Sequence, residues 1–359
     1  MAGVDPDATR PRRTASPRLS DASARSGAQL ASGNPAPHPV SDTGTGEAGD
    51  IAHFLRNSSL NDALDVVGDW WTQRILRESF LGVRQFEAMQ TRLHIPRQTL
   101  SQRLKHLVTH GLLDVSRGGY RLTERGLALY PWALMVWEWT RKWGGEAGPT
   151  HPASLTHYPC GQVMTPLFVC GACLVPVGLR DVSYRGTDVP PRAPASPTTA
   201  RTRWKGSKVV MDADRASHHI AFITADRWTH LILGAIFFGC RSFDHIAREI
   251  GIASNILSHR LKLLLQADFL QKKRSAEDAR RFVYALTPRS RDVFPLTISL
   301  LQWADTQLKP GVQPPVQRFH RGCGARLQTK VICSHCHGEL LPRAVGFQHA
   351  DPSAPLPTT

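Results

Sequence analysis

The residues with the clearest chemistry are His157, Cys160, Cys170 and Cys173, spaced as His, two residues, Cys, nine residues, Cys, two residues, Cys. His320, Cys323, Cys333 and Cys336 keep the same spacing at an offset of 163. Imidazole and thiolate are borderline-to-soft donors, and two short-spaced pairs across a hairpin-sized gap suit tetrahedral Zn2+. Such a ligand set is closed, so the ion would be structural and not catalytic. One ion per cluster is expected, each in a zinc-ribbon-like hairpin; the alternative is a pair of metal-free hairpins with buried thiols. His335 and His337 crowd the second set and could take the place of His320. Six of the seven cysteines lie in these two sets, which in a reducing compartment points to metal and away from disulfides. The seventh, Cys240, ends the apolar run LILGAIFFG and reads as a buried, inert thiol.

A second group of side chains could meet base edges. Leu100, Leu104 and Leu107 fall at i, i+4, i+7 and form an apolar stripe, so Gln98, Ser101, Gln102 and Lys105 project from the other face. The short break Ile95-Pro96 precedes this stretch, giving a helix-turn-helix whose second helix suits a major groove. Any amphipathic surface helix shows a polar face. Here, however, no Asp or Glu occurs between Glu87 and Asp114, while Arg92, Arg97, Arg103 and Lys105 do, so a polyanion meets no repulsion. Position on the helix predicts Arg103 against phosphate and Gln98 against a base, with bidentate pairing to adenine open to the latter.

The whole stretch 69–113 recurs at 226–270 with no gap. Asp69/Asp226, Trp71/Trp228, Thr72/Thr229, Gly82/Gly239, Arg84/Arg241, Phe86/Phe243 and Ile95/Ile252 repeat, as does Leu-Ser-x-Arg-Leu-Lys. Such self-similarity marks an internal duplication. Asn255, Ser258, His259, Arg260 and Lys262 are the second copy's groove-facing residues.

Each copy continues into a predicted wing. In the first, two short strands flank Ser116-Arg117-Gly118-Gly119, placing Arg117 and Arg121 on phosphate or in a minor groove. In the second, seven extra residues lengthen the hairpin, which carries Lys272, Lys273, Arg274, Arg280 and Arg281. A charge run also fits a merely solvated hairpin. A further helix over 123–143 bears Leu129, Trp132, Val136, Trp139 and Trp143 at helical spacing, the pattern of a core or dimer face.

The net charge of +15 is concentrated centrally: −1 for residues 1–50, +4 for 51–179, +4 for 180–218, +9 for 219–343 and −1 for the rest. Basic charge in folded parts fits nucleic acid, while a basic pI alone also fits ribosomal neighbours or an anionic membrane surface. No apolar run is long enough to span a membrane, and the polar N-terminus has no leader-like core, so a cytoplasmic protein is expected. Neither a phosphate-binding Gly loop nor a Gly-x-Ser-x-Gly elbow occurs, so no enzyme is expected. The expected partition is a disordered tail 1–50, a winged helix-turn-helix 51–145, a cysteine cluster 151–179 and a linker 180–215. A second winged helix-turn-helix 216–309, a second cluster 316–343 and a tail 344–359 follow. The fold class is mainly α with small β wings. The Pro-rich linker predicts two separate domains tethered at a reach that spans half-sites one helical turn apart.

Taken together, GDWWTQRIL, Gly82-x-Arg84-x-Phe86, the Leu-Ser-x-Arg-Leu-Lys helix, the wing strand Tyr120 to Thr123 and the Trp139-bearing helix resemble the HxlR family of winged helix-turn-helix transcriptional regulators. The resemblance covers 58–143 and 219–305, and the segments from His157 and His320 look like the cysteine-bearing extension of some members. It implies double-stranded DNA as partner, and two copies in a chain imply a pseudo-dimer or a homodimer of such chains. Redox-sensing members carry a reactive cysteine just before the first helix; Ser58 or Ser59 stands there, so thiol sensing by that route is not carried over. The competing reading is a protein-docking module of the transcription machinery. Operator and small-molecule effector are not written in the sequence.

Overall fold

The computed structural model describes residues 55, 58–144, 152–187, 227–275, 278 and 280–349. The predicted tail 1–50, residues 350–359 and most of the predicted linker lie outside them.

The first copy begins with α1 (Ser59–Val67), whose N-terminus is capped by the Ser58 hydroxyl accepting from the Leu60 amide, and α2 (Trp70–Phe80). Asp69 caps α2 as its sequence position predicts, its carboxylate accepting from the Trp71 and Thr72 amides at 3.1 Å. The helix-turn-helix is α3 (Phe86–Leu93) and α4 (Arg97–Thr109). The stripe Leu100, Leu104 and Leu107 is fully buried, and Gly111, left-handed at φ 69°, ends the helix as a C′ glycine does. The wing is β1 (Leu113–Ser116) antiparallel to β2 (Gly119–Leu122). The helix expected over 123–143 is broken into α5 (Glu124–Leu127) and α6 (Tyr130–Trp143), because Pro131 has no amide to continue a helical ladder and sits in the first turn of α6.

The second copy repeats these parts as α7 (Arg227–Phe237), α8 (Phe243–Ile250), α9 (Ser254–Gln266), the wing β7–β8 (Leu270–Arg274 and Phe282–Leu286), α10 (Pro288–Arg291) and α11 (Phe294–Trp303). Leu257, Leu261 and Leu264 are buried as their counterparts are.

The copies are not independent domains: the described residues all lie in one compact unit. α6 packs on α11, and the contact is reciprocal. The Trp139 indole N–H donates to the Arg289 carbonyl at 3.2 Å, and that of Trp303, equivalent to Trp139, donates to the Arg125 carbonyl at 3.0 Å. Such self-complementary contact is the signature of a twofold interface, so the aromatic stripe is a dimer face within one chain. Three sheets also cross between copies. β3 (Pro152–His157) pairs with β11 (Val345–His349), β5 (Pro166–Cys170) with β10 (Thr329–Cys333), and β6 (Val182–Gly186) with β9 (Val316–His320), all antiparallel. β6 lies inside the predicted linker and β11 inside the predicted tail. Both are paired strands because their partners come from the other copy, which a copy-by-copy reading does not supply. Among the described residues no helix is long and apolar enough to cross a membrane.

Candidate nucleic-acid interface and metal centres

On α4, Arg97, Gln98, Ser101, Gln102 and Lys105 are exposed, opposite the buried leucines. Arg97 lies over the Phe86 ring at 4.9 Å, which orients its guanidinium without removing its charge. Arg103, expected against phosphate, makes an ion pair within the chain. It is half-buried, and its Nε lies 2.8 Å from the Asp69 carboxylate, tying the reader helix to the cap of α2. On α9, Asn255, Ser258, His259 and Lys262 are exposed, and Arg260 is half-buried like Arg103; the Asn255 side chain accepts from the Ile256 amide at 2.9 Å.

Both wings are basic and outward. Arg117 and Arg121 are exposed on the first; Lys272, Lys273, Arg274, Arg280 and Arg281 are exposed on the second. Arg274 lies 5.4 Å over the Phe282 ring, and Arg281 lies 3.4 Å from the Asp278 carboxylate. Sequence reasoning missed what fixes each wing. The Tyr120 amide donates to the Arg84 carbonyl at 2.9 Å, and the Tyr284 amide to the Arg241 carbonyl at 2.8 Å. A side chain at Gly119 would bring its Cβ within 2.4 Å of that Arg84 oxygen, so this glycine permits the close approach. The signal was present: Arg84 and Arg241 recur at the repeat offset.

The eight metal-ligand candidates do converge, but across the copies. His157 and Cys160 meet Cys333 and Cys336; Cys170 and Cys173 meet His320 and Cys323, the donor atoms of each group lying within 4.8 Å of one another. The pairing expected within each cluster is thus replaced by a crossed one, and strand register is the reason. In the β5–β10 pair Cys170 faces Thr329 and Cys333 faces Pro166. The two ends of this pair are four residue steps, or about 13 Å, apart, and Cys160 sits at the Cys333 end, Sγ to Sγ 3.9 Å. One ion could not reach both Cys160 and Cys170. His335 and His337 flank the group served by His157, so they are not placed to substitute for His320.

Three of the six donor-to-donor edges in each tetrad fall close to those that a zinc ion requires. Zn–S of about 2.3 Å and Zn–N of about 2.0–2.1 Å give tetrahedral edges of about 3.8 Å for S···S and about 3.5 Å for N···S. The edges here are 3.9 Å for Cys160–Cys333 and for Cys170–Cys323. From His157 Nδ1 they are 3.5 Å to Cys160 and 3.2 Å to Cys336, and from His320 Nδ1 3.3 Å to both Cys173 and Cys323. All four ligand pairs are built alike. The residue after the second ligand of each pair, Gly161, Leu174, Gly324 or His337, is left-handed with φ between 57° and 70°, and its amide donates to the carbonyl of the first ligand. Left-handed Leu and His carry a cost that surrounding structure must offset. Cys240 is fully buried, and burial pushes its thiol up to about 11. At neutral pH it is protonated, so in the native protein it is expected to resist alkylation by iodoacetamide under conditions that label a thiol in urea-unfolded chain.

A duplicated winged helix-turn-helix with a shared cysteine-histidine layer thus describes the chain. The model of the HxlR-like helix-turn-helix family matches residues 66–147 and again 223–312, and the chain belongs to that family. It is similar to HTH-type transcriptional regulators, themselves uncharacterised, of Mycobacterium bovis and Mycobacterium tuberculosis. Each is 37% identical over 123 residues, which are 34% of this chain and 78% of the relative. Both shares count the same residues, so each relative is 34/78 of this chain's length, less than half. A solved chain from Pseudomonas aeruginosa, described as a candidate transcription factor, is 24% identical over 36% of this chain and 87% of its own, with a TM-score of 0.28.

Proposed function

We propose that the chain is a DNA-binding transcriptional regulator working as a covalently joined pseudo-dimer. α4 and α9 enter major grooves, the two wings lie on adjacent backbone, and the two tetrads each hold a structural Zn2+. The observation that carries this reading is the pairing of an exposed polar and cationic face with a fully buried leucine stripe on both reader helices, each beside a basic wing. Family membership and the regulators among the relatives support it. Gln98, Ser101 and Gln102 on one reader, against Asn255, Ser258 and His259 on the other, favour an imperfect palindrome.

Duplex affinity measured against salt tests the reading. Neutralising several phosphates gives a slope of log K against log salt on the order of −5 or steeper. A slope near zero would favour protein docking instead. Within this titration Arg103 is expected to behave as a structural residue: Arg103→Ala lowers stability by about 0.2–1 kcal/mol, the worth of a partly exposed ion pair, and leaves the salt slope unchanged. Urea unfolding and the same titration check both halves. A slope shallower by about 1 would return Arg103 to the phosphate-contacting set.

A further inference from the structure

We infer that each Zn2+ is shared between the copies, so that the metal layer is a clasp across the pseudo-dimer and not an accessory of either half. This rests on the reading that the tetrads hold zinc, and goes beyond it by assigning each ion two ligands from residues 157–173 and two from residues 320–336.

Three observations carry the assignment. First, donor atoms of opposite copies lie in direct contact: Cys336 Sγ is 3.2 Å from His157 Nδ1 and Cys173 Sγ is 3.3 Å from His320 Nδ1. Second, the same two ligand types are buried in both tetrads. In each, the histidine and the first cysteine of the Cys-x-x-Cys pair are buried, one ligand from each copy, and the later second-copy ligand, Cys336 or Cys323, is exposed. One ion would give the buried histidine of one copy and the buried cysteine of the other a common partner. Third, the layer is tied to the long helices beneath. Gln302 of α11 donates to the Thr329 carbonyl at 3.0 Å and accepts from the Thr329 amide at 2.7 Å, and the Trp137 indole N–H of α6 donates to the Pro152 carbonyl at 2.8 Å. The strands that bear the ligands therefore rest on the helices that join the two readers, and zinc fastens the junction from outside. Leu155, Phe168 and Val331 pack the layer into the core, and ligation would add a fastening that crosses the copies.

The test is zinc content per chain in the full-length protein, purified reduced and free of chelator. Wild type should carry two. Cys160→Ser with Cys336→Ser removes two ligands of the same tetrad and should leave one ion. Cys160→Ser with Cys173→Ser removes one ligand from each tetrad and should bring the content near zero. The reverse order, none in the first pair and one in the second, would overturn the shared assignment while upholding zinc. A wild type with near zero would overturn both. A second measurement needs no variant: the chelator-treated wild-type chain is oxidised with diamide, each disulfide formed reducing one diamide to its hydrazine, and the bridges are mapped by mass spectrometry. Cys160–Cys333 and Cys170–Cys323 are expected. A map with no bridge joining residues 157–173 to 320–336 would contradict the clasp.

Discussion

In the Gln98→Ala protein, affinity for the preferred duplex is expected to fall roughly 5- to 150-fold, about 1–3 kcal/mol, the worth of one bidentate base contact. Affinity for unrelated duplexes should stay where it was. Gln98 is exposed in the first turn of α4, two residues before the buried Leu100, so truncating it removes hydrogen-bonding capacity at the groove face without opening the core. Lys105→Ala should do the opposite, weakening all duplexes alike and reducing the salt slope by about 1. Competition binding with matched and scrambled duplexes separates the two patterns. Equal loss on every duplex in the Gln98 variant would remove α4 as the sequence reader.

The second large effect is expected at the junction. Trp139→Ala should cost about 3–5 kcal/mol of stability, the range for truncating a large aromatic in a core. Trp139 is 2% exposed and stacks on Phe269 of the other copy at 5.8 Å with ring planes 10° apart. Arg289 covers both rings at 5.2 and 5.0 Å while its own carbonyl accepts the indole N–H. The variant therefore loses packing, a hydrogen bond and the platform of a half-buried cation together. Trp303→Ala loses a buried indole and the reciprocal hydrogen bond to Arg125, and should also be destabilising. Urea unfolding of the full chain checks this, and a loss below about 1 kcal/mol would mean the copies are held together elsewhere.

Much of this was legible because it is periodic. Leu100, Leu104 and Leu107 mark a helix face by their spacing alone, and the duplication repeats that face at Leu257, Leu261 and Leu264. The metal ligands were legible as residue types for the same reason. Their partners were not. Two identical sets of His-x-x-Cys and Cys-x-x-Cys satisfy a tetrahedron equally well within a copy or across copies, and the register of β5 on β10 decides between them. That register depends on long-range packing of α6 on α11, which spacing does not encode. Val182–Gly186 looked like linker because a short strand paired with a segment about 130 residues away leaves no local mark. Arg103 shows the limit of a face assignment: periodicity places its Cβ, while Asp69, 34 residues upstream, decides where its guanidinium rests.

The crossed strands and reciprocal tryptophans give the two readers one relative position instead of the loose tether that the Pro-rich segment suggested. The measurement that tests this most directly is affinity of the intact chain for duplexes carrying both selected half-sites with the spacing between them varied one base pair at a time. A single favoured spacing is expected, with affinity falling sharply when about five base pairs, half a helical turn, are inserted and recovering in part at a full turn. Affinity that stays level across all spacings would contradict the account, because only two independently tethered heads could follow the half-sites around the helix.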